Sequence, residues 1–232
     1  LASVVSLAKR LGKTPIKVSE CAGFLVNRTL LPYLNEAAKM FEEGENIDHI
    51  DKLLTDFGMP MGPFTLADEV GIDIGVKVSD ILHNAYGERM EPSSVLSKMI
   101  ENDYMGKKNG KGFYLHKGKK RSQHEEVYDL QDGKAILDDK VIRDRAILIM
   151  VNEAARCLEE GVVDNARYLD MAMVMGTGFP PFRGGLLKYA DSLGIEKVHM
   201  SLVYLQEKYG DRFEPAKLIV EMAENKETFY KG

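Results

Sequence analysis

Two glycine-rich segments, five histidines and two cysteines are the places where this sequence could carry chemistry. Gly106-Lys-Lys-Asn-Gly-Lys-Gly112 mixes lysines with glycines and would suit a phosphate. It lacks the P-loop spacing, however, and no buried strand leads into it. Gly176-Thr-Gly178 begins like a dinucleotide fingerprint, but Pro181 stands where the third glycine belongs. The Met171–Met175 run before it reads as helix, whereas that fingerprint needs strand, glycine turn and helix in order. His49, His83, His116, His124 and His199 are scattered. None has a carboxylate or second histidine at ligand spacing, so no metal site is expected. Cys21 and Cys157 sit among apolar residues and are expected to be reduced, buried thiols. That points to a reducing compartment. No GxSxG elbow is present. If the chain takes part in catalysis, its most reactive groups lie on another segment.

The elements that would position any site are helical. Val4, Val5, Leu7, Ala8 and Leu11 share one face of a short first helix, and Gly12 stops it. Pro15–Ser19 alternates like a strand with no second strand to pair with. From Phe24 to Gly44, Leu30, Leu31, Leu34, Ala37, Ala38 and Phe41 form one apolar face. Asp48 is expected to cap the next helix, which carries Ile50, Leu53, Leu54 and Phe57 and ends at Gly58. Helices over 65–70, 72–86 and 93–102 follow, with Gly71 and Gly87 between them. Leu115–Lys140 is polar and reads as a surface connection. The 232 residues carry a formal charge of −5, and 44% of them are apolar. This suffices for a core, and the mild acidity argues against a general nucleic-acid binder. No apolar run approaches the ~18 residues of a membrane span.

The second half repeats the first. Asn27-Arg-Thr-Leu-Leu-Pro-Tyr-Leu-Asn-Glu-Ala-Ala aligns with Asp144-Arg-Ala-Ile-Leu-Ile-Met-Val-Asn-Glu-Ala-Ala. Gly44 meets Gly161, Gly58-Met-Pro meets Gly178-Phe-Pro, and Ala67-Asp68 meets Ala190-Asp191. Order is kept to the end, where Phe-Tyr114 meets Phe-Tyr230. A helical unit with one apolar face must cover it, and two copies cover each other as protomers do across a two-fold interface. The expected fold is therefore all-α, with two tandem copies packed as a pseudo-dimer. Residues 21–120 would form the first unit, 121–138 a linker and 139–232 the second.

Glu20-Cys-Ala-Gly-Phe-Leu-Val-Asn-Arg-Thr-Leu-Leu-Pro-Tyr-Leu, Gly58-Met-Pro-Met-Gly-Pro-Phe64, Asp68-Glu-Val-Gly71 and Gly106–Tyr114 resemble the C-terminal domain of 3-hydroxyacyl-CoA dehydrogenases. Ala8–Val18 is similar to the last helix and strand of that family's nucleotide-binding domain, so residues 1–20 are expected to be its remnant. Tandem copies are similar to those of multifunctional fatty-acid oxidation subunits. In those proteins, enoyl-CoA hydratase and nucleotide-binding domains come first. The resemblance implies NAD-dependent oxidation of a 3-hydroxyacyl-CoA in β-oxidation, in the cytoplasm or, in a eukaryote, the mitochondrial matrix. It implies NAD held by the preceding domain and none by this chain, which is expected to be inactive alone. The implied partners are acyl-CoA, those preceding domains and a thiolase subunit. A non-catalytic assembly module is the alternative.

By the same resemblance, Asn27 matches an asparagine that approaches the substrate's reacting oxygen. An amide donates without titrating, which suits charge growing on oxygen. The plainer alternative is a helix cap. Asp144 replaces it in the second copy, which is therefore expected to be structural. Phe24, Met61 and Pro63 are candidates for an acyl channel, with core packing the alternative. Lys107, Lys108 and Lys111 would meet CoA phosphates or form a solvated loop. Arg28 and Arg145, present in both copies, are expected to form structural salt bridges with Glu36 or Glu153. Arg183 is left without a role.

Overall fold

Leucine and alanine at helical spacing produce the long segment Val26–Glu42, labelled α2 in the computed structural model, which describes residues 2–230. It is preceded by α1 (Ala2–Arg10) and followed by α3 (Ile47–Phe57), α4 (Pro63–Val70), α5 (Ile72–Tyr86) and α6 (Ser94–Glu101). A second set repeats the series: α7 (Asp139–Glu159), α8 (Ala166–Thr177), α9 (Leu186–Leu193), α10 (Ile195–Tyr209) and α11 (Lys217–Asn225). The expected tandem helical fold is present.

α2 and α7 lie against each other at the centre. Every α7 residue from Arg145 to Ala155 is buried, which is the signature of a helix surrounded by its own protein. α3 reaches across to α7, and α8 reaches across to α2. Two buried ion clusters fasten this crossing. Arg28 donates to Glu153 at 2.6 Å and to Glu160 at 2.7 and 2.8 Å. Arg145 donates to Glu36 at 2.7 Å and to Glu43 at 2.5 and 2.7 Å. Each arginine thus pairs with the other copy's glutamates, and each also lies over a tyrosine of its own copy. Arg28 sits 4.3 Å from the Tyr86 ring and Arg145 sits 4.0 Å from Tyr209. Both guanidinium groups are fully buried, so their pairing removes a desolvation cost that an unpaired charge would carry. The exchange of partners is that of a two-fold dimer written in one chain.

Two local expectations are corrected. Asn46, not Asp48, caps α3, its side chain accepting from the His49 amide at 3.1 Å. The side-chain oxygen of an asparagine just before a helix reaches that donor, whereas Asp48 already lies inside the first turn. Pro15–Ser19 forms no strand; it crosses the surface of the second copy, where Ser19 donates its amide to Val162. A short hairpin of β1 (Tyr114–Lys117) and β2 (Lys120–Gln123) is the one sheet among the described residues of this helical fold. β1 also bonds back to the loop before it, His116 donating its amide to Gly110 at 2.8 Å, and the turn at Gly118 adopts φ +62. The segment after it is tied to the end of α2. Asp132, Gly133 and Ala135 donate amides to Glu42 and Glu43, which satisfies carbonyls that α2 leaves open at its C-terminus.

Candidate active site

The chain enters α2 through two residues in the left-handed backbone region, Gly23 at φ +75 and Phe24 at φ +49. A Cβ on Gly23 would lie 2.8 Å from Leu82 and 2.9 Å from the Arg28 amide, so the position needs glycine. Phe24 has no such freedom. A phenylalanine in that region costs roughly 1–2 kcal/mol, and its ring gains little from burial because it is 58% exposed.

This turn makes Asn27 the second residue of α2 rather than its cap. Leu25 occupies the cap position and contributes no side-chain bond. The Asn27 amide is exposed, and nothing hydrogen-bonds it among the described residues. It stands at the edge of a cavity of about 220 Å³ between α2, α4 and α5. Leu30, Leu34, Ala38, Val78, Leu96 and Phe113 supply much of its apolar wall. Pro63 lines the same cavity. Phe24 lies in a neighbouring groove that also touches Asn27, together with Ile16, Val18 and Met175. Met61 belongs to a different depression, beside Asp48, Asp51 and Tyr114. The site residues named from sequence therefore separate: Asn27 and Pro63 converge, Phe24 flanks them, and Met61 faces elsewhere.

A second asparagine, Asn35, also lines the cavity. It donates to the Glu91 carbonyl at 2.8 Å and accepts from the Ser93 amide at 2.7 Å. Its twin Asn152 does the same with Glu214 and Ala216 in the second copy. Asn35 is thus a fastener, and sequence reasoning did not single it out. Asn27 alone of the two has a free amide and no amide twin. Its counterpart Asp144 is tied to Lys140 at 2.5 Å.

The family model for the 3-hydroxyacyl-CoA dehydrogenase C-terminal domain matches residues 23–116 and again residues 142–231. The chain belongs to that family. A fatty acid oxidation complex subunit alpha from Shewanella amazonensis is 48% identical over 240 residues, covering 99% of this chain and 33% of that protein. The chain spans about a third of the length of the curated relatives it matches. Among solved structures, 3-hydroxybutyryl-CoA dehydrogenase from Escherichia coli K12 superposes with TM-score 0.80 at 24% identity, over 97% of this chain and 64% of that one, a likeness of fold. The dehydrogenase part of multifunctional enzyme 1 from C. elegans gives TM-score 0.69 at 27% identity, over 95% and 52%.

Within this 3-hydroxyacyl-CoA dehydrogenase family fold, the other chemically suggestive groups are structural. Asp68 is buried, meets His116 at 2.8 Å and resembles half of a catalytic relay. Yet it also accepts the Phe113 and Tyr114 amides at 2.8 and 2.9 Å. Asp191 repeats those two bonds at Phe229 and Tyr230 with no histidine. Burial raises the Asp68 carboxyl, although His116 and the two amides pull the other way. The Gly106–Gly112 loop wraps this carboxylate, since a Cβ on Gly112 would meet the Asp68 Oδ1 at 2.0 Å. Gly106 and Gly112 serve that approach. Lys107 pairs with Glu69 at 2.6 Å and Lys108 with Asp73 at 3.0 Å.

The cysteines also divide. Cys157 is buried and its thiol is pushed up to about 12 by that burial, so it stays protonated. Cys21 is only half-buried, because it lies in the turn before α2. Among the described residues no three metal-ligating side chains gather, and no helix is long and apolar enough to cross a membrane.

Proposed function

We propose that this chain is the substrate-side and dimer-like part of an NAD-dependent 3-hydroxyacyl-CoA dehydrogenase of fatty-acid β-oxidation. One observation carries the reading: a free amide, Asn27, at the mouth of an apolar cavity. The acyl chain lies along the apolar wall, and the amide N–H points at the substrate's 3-oxygen. There it orients the hydroxyl and stabilises negative charge as the carbonyl forms. The positive end of α2 adds to this, because Asn27 lies in its first turn. No strand leads into a glycine turn and a helix among the described residues, so they do not fit a dinucleotide. Binding of NAD and removal of the hydroxyl proton therefore belong to the nucleotide-binding domain of the longer protein, of which residues 1–20 are the tail. Residues 21–120 and 139–232 are its two helical units, joined by 121–138. Its partners would be acyl-CoA, a hydratase domain and a thiolase subunit, in the cytoplasm.

The test is Asn27→Ala in the longer protein. Loss of one such donor lowers turnover about 100- to 1000-fold while the thermal midpoint and assembly hold. Unchanged turnover would overturn the assignment. The second reading, an assembly module, is favoured by the exposed Val4 and Leu7 on α1 and the exposed Leu11 just after it. It gains if Asn27→Ala is silent while substitutions on that face abolish association with the remaining domains or subunits.

A further inference from the structure

The second copy has a cleft that the dehydrogenase reading does not use. It occupies the place equivalent to the Asn27 cavity but has a volume of about 700 Å³. Its chemistry is inverted. Arg143 stands where the first copy has Val26, Lys197 where it has Ile74, and Ser201 where it has Val78. The loop between matching glycines is longer here, Gly178–Gly185 against Gly58–Gly62, and the added residues bring Arg183 into the cleft.

The charges are unbalanced. Both carboxylates that line the cleft are already paired, Asp144 with Lys140 and Asp56 with Lys52, each at 2.5 Å. Arg143, Arg183 and Lys197 meet no carboxylate among the described residues. Arg183 is also held in place. Its guanidinium lies 3.8 Å over the Phe57 ring with Tyr189 at 5.2 Å, and its Nε donates to the Phe57 carbonyl at 3.0 Å. Its terminal nitrogens have no acceptor among the described residues, so a planar fork is presented with little entropy left to lose. Leu148, Leu193 and Val198 form an apolar floor beside these cations. The volume falls in the ordinary range for small-molecule sites.

We propose that this cleft binds an organic phosphate, its phosphate on Arg143, Arg183 and Lys197 and its apolar or aromatic body against Leu148, Leu193 and Tyr189. Three separated cations match the several acceptor oxygens of a phosphate better than the two of a carboxylate. A nucleotide and a phospholipid headgroup share this chemistry. The second copy then supplies the cations of a ligand site that Phe57 of the first copy helps to close, as well as serving as a structural mate.

Calorimetric titration of the full chain with adenosine 3′,5′-bisphosphate, and sedimentation with phosphatidic-acid vesicles, test the assignment in the wild type and in the Arg143→Gln/Lys197→Gln double variant. Neither side chain makes an ion pair among the described residues, so the double variant keeps its thermal midpoint. The expected result is saturable binding of at least one probe, weakened about tenfold or more in the double variant. Binding of the bisphosphate assigns the site to nucleotides, and binding of vesicles alone assigns it to headgroups. Absence of saturable binding to both probes, or equal binding by wild type and variant, overturns the proposal.

Discussion

Arg145→Met would show whether the two copies are one cooperative body. The substitution removes the bonds to Glu36 and Glu43 and the stacking on Tyr209, while keeping most of the side-chain volume. Removing one partner of a buried pair costs about 3–5 kcal/mol. The lower end applies here for two reasons. Arg212 still holds Glu36 through bonds of 2.7 and 3.0 Å, and Glu43 is 34% exposed and can rehydrate. A loss of about 3 kcal/mol in a chain of this size lowers the thermal midpoint by roughly 6–12 °C. Arg28→Met is the mirror experiment, in which Glu153 keeps Arg89 at 3.4 Å, so its cost falls within about 1 kcal/mol of the first. Acid weakens both clusters, since Arg28 likewise holds Glu160 below the usual carboxylate range. Burial pushes Glu36 up, but Arg145 and Arg212 outweigh it and hold the carboxyl below the usual range. A depressed carboxylate stabilises the fold above its unfolded value, and that stability goes as the pH falls through the folded value. Arg145→Met therefore costs most at neutral pH and progressively less in acid. Urea unfolding followed by circular dichroism measures all of this. A cost under about 1 kcal/mol, or separate transitions for the two halves, would refute the reasoning.

Two further outcomes follow from local geometry. Phe24→Gly relieves the left-handed backbone, and after the entropy of a glycine in the unfolded chain it leaves a net gain of about 0.5–1 kcal/mol; a loss in urea midpoint would mean that the ring is packed rather than exposed. His49 bridges Glu45 at 3.0 Å and Asp139 at 2.9 Å, and the bond to Glu45 is the main reason its imidazole is raised above 6.5. That bridge is present in full below the unfolded value and is lost as the pH rises through the raised folded one. The stability advantage of wild type over His49→Gln should therefore shrink as the pH rises above the ordinary imidazole range, and a constant difference would rule out the bridge.

Much of the architecture was legible without coordinates. Helix positions followed from apolar residues at three- and four-residue spacing and from glycine stops, both local signals. The duplication was visible because the repeated residues are those that a shared fold demands: the Asn-Glu-Ala-Ala run of each central helix, and the aspartates that tie down each C-terminal Phe-Tyr. Even the resemblance of Asn27 to a substrate-facing amide needed only its neighbours in the chain. Which glutamate each arginine takes was not legible. Glu36 lies on the same helix as Arg28, yet Arg28 pairs with Glu153 of the other copy, because α2 and α7 cross with the buried charges on their shared face. Nor was the parting of Met61 from Pro63 legible, since one turn sends neighbouring side chains to opposite sides of α4. The cationic cleft is the clearest case. Arg143, Arg183 and Lys197 come from three separate elements and mean nothing singly in the sequence. Local spacing determines which helices form and how they repeat. Partnership between charges far apart in the chain is settled only when tertiary packing removes water and leaves each group the neighbours it has.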